Sequence, residues 1–135
     1  MRKWIIATIL ITLLFSCVCC AFAEEDKFEI TDVITEESSP EYWKLKLFVK
    51  NNLEETVHNL QLSVCFTDKD DNIIYTSFPD ADVRVKAGKT IAIETLIAKA
   101  TNPYAVYVDQ IEYDDSNEEH KKTYLNNTKE FIISE

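Results

Sequence analysis

Few side chains in this sequence could do chemistry. Beyond the first 23 residues there is one thiol, Cys65, and there are two imidazoles, His58 and His120. A cysteine nucleophile needs a base such as histidine within hydrogen-bond reach. His58 shares the alternation of Leu60 and Leu62, whereas Cys65 has the opposite parity. Side chains of opposite parity leave a strand from opposite faces. His58 and Cys65 are therefore not expected to meet, and Cys65 is expected to be a packed or half-exposed thiol. Two histidines and one cysteine also fall short of the four-ligand set of a structural zinc site. Gly88 is the only glycine. A nucleotide loop needs several, so that backbone amides can approach phosphate. Acidic pairs such as Asp109 and Glu112 would do acid–base work only inside a deep cleft. No enzyme and no cofactor are expected.

Carboxylates are the remaining ligands. Asp68-x-Asp70-x-Asn72 opens like an EF-hand calcium loop, but Ile73 stands where the sharp-turn glycine belongs and Pro79 where the bidentate glutamate belongs. A different calcium site stays open. If the strands run up and down in sequence order, the turns Asp68–Asn72, Ala87–Lys89 and Asp114–Glu119 share one end. That end would gather Asp68, Asp70, Asp71, Asp114 and Asp115, either around a cation or as a solvated, mutually repelling cluster. Tyr104, Tyr107, Tyr113 and Tyr124 cluster late in the chain. Tyrosine is favoured in binding patches, and it equally suits strands and cores. Asn126-Asn127-Thr128 fits the N-glycosylation pattern, which matters only in a eukaryotic secretory route.

These residues sit on alternating segments. Trp43, Leu45, Leu47 and Val49 share one parity, and Leu60, Leu62, Val64 and Phe66 share another. A two-residue period marks half-buried strands. Strands are expected near 27–34, over 42–50 and 57–67, at 73–77, around Val83 and Val85, over 90–98 and over 104–113. A loop is expected from Thr35 to Pro40, a break at Phe78-Pro79-Asp80, and a bulge near Asp109-Gln110. Gly88, between two alternating runs, is expected at positive φ. The tail from Lys121 to Ile133 reads either as an edge strand at Phe131–Ile133 or as a short helix. Short strands with turns about every ten residues predict an all-β, immunoglobulin-like antiparallel β-sandwich of about seven strands after an N-terminal signal segment.

The chain start reads as that segment. Arg2 and Lys3 precede an apolar run from Trp4 to Phe15, and Ala21-Phe22-Ala23 is a small-x-small cleavage site. Residues 1–23 would then be a signal peptide and 24–135 one domain, 112 of the 135 residues. Two alternatives remain. Leu14-Phe15-Ser16-Cys17 resembles a bacterial lipoprotein box, with Cys17 as the lipid attachment. Trp4–Ala23 is also just long enough to span a bilayer as a retained helix. All three readings place the domain outside the cytoplasm, secreted or associated with the cell envelope. Cys65 alone cannot form an internal disulfide, and an exported domain without one suggests a bacterial source.

Without Arg2 and Lys3, the 14 basic residues fall to 12 against 24 acidic ones. Such a balance argues against nucleic acid and against anionic lipid as partners. Membrane contact is expected only through the N-terminal segment.

Val49-Lys50-Asn51, Val64-Cys65-Phe66-Thr67-Asp68 with Asp71-Asn72-Ile73-Ile74, and Ala87-Gly88-Lys89-Thr90 resemble the FxLYD-type domains. The resemblance covers about Tyr42 to Tyr113. Val64, Phe66 and Thr67 stand where the name motif has Phe, Leu and Tyr, and Asn72 stands where a turn glycine is common. The resemblance implies a small immunoglobulin-like sandwich of exported bacterial proteins, with no known activity and no functional residue to carry over. The expected role is non-catalytic: binding an unidentified protein or envelope partner, or spacing, at the bacterial cell envelope. The alternatives are a structural or assembly lipoprotein tethered through Cys17 and, third, a calcium-binding module using the acidic turns.

Overall fold

The computed structural model describes residues 26–126 and 128–133. The expected signal segment, with Cys17, and Asn127 of the glycosylation pattern lie outside the described residues. The strands are β1 (Phe28–Glu37), β2 (Tyr42–Asn51), β3 (Val57–Thr67), β4 (Ile73–Ser77), β5 (Asp80–Val85), β6 (Thr90–Ala98), β7 (Ala105–Asp114), β8 (His120–Tyr124) and β9 (Phe131–Ile132). They form an antiparallel β-sandwich. One sheet has the order β1-β2-β6. The other has the order β4-β3-β7-β8, with β5 also on β3 and β9 also on β7.

Nine strands fill seven positions. β4 pairs with one half of β3 and β5 with the other, both antiparallel. The two are therefore one edge strand interrupted at Phe78-Pro79, where proline has no N–H to give. β8 and β9 divide the edge along β7 in the same way. The tail thus takes the edge-strand option.

The alternating apolar residues face inward. Leu45, Leu47 and Val49 of β2 and Leu60, Leu62, Val64 and Phe66 of β3 are buried, packed with Ile93 and Ile97 of β6 and with Val106, Val108 and Ile111 of β7. β1 runs three residues beyond the expected Ile34. Its extension lies opposite β2 and is held by Glu36 against Lys44 and Lys46 (3.5 Å each) and by Glu37 against Lys99 (2.6 Å).

Two departures from simple alternation matter for the surface. The expected bulge in β7 is present, as a register shift where Ser63 faces Gln110 but Val64 faces Val108. A second bulge, not expected, sits in β3 at Asn59, whose φ is +53°: from His58 to Gln61 β3 takes three steps where β7 takes two, from Asp114 to Glu112. Gly88, as expected, is left-handed at φ +75°. The backbone of its turn is tied to Asn51 by Gly88 N–H to the Asn51 carbonyl (2.8 Å) and by Asn51 N–H to the Lys89 carbonyl (2.9 Å).

Candidate functional site

The Asn59 bulge turns the start of β3 over. Val57, not His58, is buried. His58 therefore stands on the outer face of its sheet, which corrects the expected parity. It now shares a face with Cys65, yet seven residues of strand separate them, roughly 23 Å. No Cys–His pair forms, for a reason of distance and not of facing.

The same flip creates a row that spacing did not reveal. His58 on β3 lies opposite Asp114 on β7, which lies opposite His120 on β8. Asp114 accepts a hydrogen bond from Asn59 Nδ2 at 2.7 Å, and His120 Nδ1 lies 3.0 Å from its other oxygen. His58 Nε2 stays 3.9 Å away. The Asn59 and His120 bonds hold the Asp114 carboxyl below its ordinary range. A depressed folded-state value means that the stabilisation is present above the unfolded carboxylate pKa of about 3.9 and is lost as pH falls through the folded value. Asp114→Asn should therefore flatten the acid limb of a plot of urea midpoint against pH and leave the limb above pH 5 nearly parallel to the parent.

The five acidic candidates are not gathered. Thr67, beside the Asp68 turn, pairs with Ala105, whereas His58 at the other end of β3 pairs with Asp114. Asp68, Asp70 and Asp71 are thus at one end of the sandwich, and Asp114 and Asp115 are at the other, roughly 30 Å away. The up-and-down count fails because β4 and β5 run in the same direction, so no reversal lies between them. The turns themselves share one design. Asp68 Oδ1 accepts from the N–H of Asp70 and of Asn72 (2.9 Å each). Asp115 Oδ1 accepts from the N–H of Asn117 and of Glu119 (2.9 Å each). Asp71 and Glu118 take the left-handed positions. These aspartates spend their lone pairs on the backbone, and the bond from Asn72 leads in pushing the Asp68 pKa down. Among the described residues, no three His, Cys, Asp or Glu side chains are placed to hold a metal ion.

Cys65 is buried, and burial raises its thiol pKa, assisted by the charge of Asp109. Burial and the neighbouring Cys65 push Tyr107 up to about 12. Both shifts favour the protonated forms. The tyrosines do not form one patch, because the β7 bulge separates them. Tyr113 points inward against Phe28, Tyr107 packs beside Cys65, Tyr104 lies under Lys69, and Tyr124 is exposed. Glu112 lines a shallow recess of about 290 Å³ with Gln61, Ser63, Phe78, Gln110 and Lys122, and Asp109 is not part of it. The acidic pair is thus not brought together in a cleft.

What the surface does present is an edge. β4 reads Ile73-Ile74-Tyr75-Thr76-Ser77 and carries no charge. β1 carries Glu29, Asp32, Glu36 and Glu37, β5 carries Asp80, Asp82 and Arg84, and β8 carries Lys121 and Lys122. Charges on edges are how sheets avoid pairing with other chains. Ile73 is 57%, Tyr75 49% and Phe78 60% exposed. The sequence showed this uncharged run, but not that it would lie at the rim of a sheet.

Fold and surface together define an immunoglobulin-like β-sandwich with an uncharged five-residue edge strand, β4; the two-residue edge strand β9 is uncharged as well. The chain matches no protein-family model and no curated protein. Among solved structures, it is similar to a Northeast Structural Genomics Consortium target at 15% identity and TM-score 0.54, covering 83% of this chain and 89% of that one. It is also similar to a Bordetella pertussis protein assigned as ApaA, at 9% identity and TM-score 0.52, covering 82% and 97%. At such identities the likeness is one of fold alone.

Proposed function

We propose that this chain is a non-catalytic, exported, FxLYD-type immunoglobulin-like domain that binds a protein partner at the bacterial cell envelope. The observation that carries this reading is the uncharged β4 edge, with Ile73, Tyr75 and the following Phe78 left in water. An uncharged strand edge with unpaired backbone groups is a ready template for pairing with another chain. The test is site-specific photocrosslinking in intact cells of the source. A photoreactive residue in place of Tyr75 should give one discrete adduct, and the same group in place of Glu94, exposed on the other sheet, should give none. No adduct from position 75, or the same adducts from both positions, would remove the reading. Mass spectrometry of the exported chain addresses its start: a mature terminus at Glu24 supports free secretion, and a lipid on Cys17 supports the tethered alternative.

A further inference from the structure

We infer that β4 binds its partner by strand addition, and that the partner supplies an extended segment with basic residues flanking apolar ones. This rests on the reading of the domain as a protein binder. The backbone comes first. Pro79 turns its carbonyl to β3, where it accepts from Leu62 N–H at 2.9 Å. Bonding alternates residue by residue along an antiparallel strand, so Ser77 and Tyr75, opposite Val64 and Phe66, also bond toward β3. Thr76 and Phe78 then direct their N–H and C=O groups away from the sheet. An added strand could take up all four groups, as in other edge-strand recognition. The register shift at the start of β4, between Phe66 and Thr67, leaves Tyr75 to Phe78 as the regular part. Tyr75 and Phe78 leave opposite faces of the strand, Tyr75 beside the Phe66 ring and Phe78 beside Gln61 and Ser63, and so offer apolar contact on both faces of the incoming strand.

Charge selects the occupant. The edge is bracketed by Asp70 and Asp71 before it and by Asp80 and Asp82 after it, and among the described residues none of these four takes part in an ion pair. Lys69, in the same turn, is directed over the Tyr104 ring, 5.9 Å from its centroid. A second copy of this chain is a poor occupant. Antiparallel pairing through β4 would set Asp70 and Asp71 of one copy against Asp80 and Asp82 of the other, between two acidic bodies. A strand with lysine or arginine at both ends meets opposite charge at both ends.

The experiment uses the full exported chain and a short synthetic peptide with valine at alternate positions and lysines at each end. The expected result is saturable binding that weakens with added salt, with slowed amide exchange at Thr76 and Phe78. The same peptide with glutamate ends should bind at least about tenfold more weakly. Phe78→Lys, at a residue 60% exposed, should abolish binding while leaving the circular dichroism and melting curve unaltered; Tyr75→Lys should abolish it too, with some loss of melting temperature because its ring rests 6.0 Å from that of Phe66. Equal binding of both peptides, protection elsewhere than 76–78, or a peptide-free dimer protected at β4 would overturn the inference. A cellular adduct at position 75 with no peptide binding would sink strand addition alone. No adduct and no peptide binding would sink the function with it.

Discussion

Phe28→Ala should destabilise the domain by about 3–5 kcal/mol, the cost of emptying a large buried aromatic site. Phe28 opens β1 and is fully buried. Its ring meets that of Tyr113 on the facing sheet edge-on, at 4.9 Å between centroids and 64° between planes. Such pairs contribute about 0.5–1.5 kcal/mol beyond burial. The ring thus joins an edge strand of one sheet to a central strand of the other. A domain of this size has roughly 5–15 kcal/mol in all, so the loss is a large fraction. Chemical denaturation checks it through the urea midpoint at constant m. Phe28→Leu should recover most of the loss, because it keeps apolar volume. A change under about 1 kcal/mol for Phe28→Ala would mean that β1 is not docked in solution.

Asn51→Ala should cost about 3 kcal/mol for a different reason. Asn51 is fully buried. Its Nδ2 donates to the carbonyls of Glu55 (2.8 Å) and Val85 (3.0 Å), and its Oδ1 accepts from Leu53 N–H (2.9 Å). One side chain thereby ties the β2–β3 turn to the end of β5. Alanine leaves the buried Val85 carbonyl and the part-buried Glu55 carbonyl and Leu53 N–H without that partner, and a buried group left so costs about 1–3 kcal/mol. Asn51→Asp is the sharper probe. It replaces the donating amide with an oxygen facing two carbonyls, which disfavours the charged form and raises the folded-state pKa. Relative to the parent, the variant should therefore be least destabilised at acid pH, below about 3.9, and should fall further behind as pH rises through the raised folded value. Urea midpoints of variant and parent at acid and neutral pH would show this, and a difference between them that is equal at both would refute it. Phe28 and Asn51 lie opposite each other across β1 and β2, so their effects should not add.

Much of the fold was legible because its signals are local. Alternation in Trp43–Val49 and Leu60–Phe66 marks strands whose inward residues the structure buries. The aspartate turns and Gly88 declare themselves through side chains and backbone angles that need no distant partner. The bulge at Asp109 was also visible, as a slip in parity within one segment. The candidate surface was much less legible. The run from Ile73 to Ser77 could be read as a short strand, but its exposure could not, because an edge is defined by the absence of a neighbour.

Composition and periodicity by themselves determined that this is an acidic, all-β sandwich with few reactive side chains. Only the tertiary structure decided three further matters. It turned His58 outward through a left-handed Asn59, since a bulge answers to the register of the partner strand. It separated Asp68 from Asp114, since strand direction depends on which strands pair and not on how many there are. It left β4 open at the rim, since sheet order is a long-range choice. Local sequence writes which side chains alternate and where the chain turns; pairing across the sheet decides which of them meet.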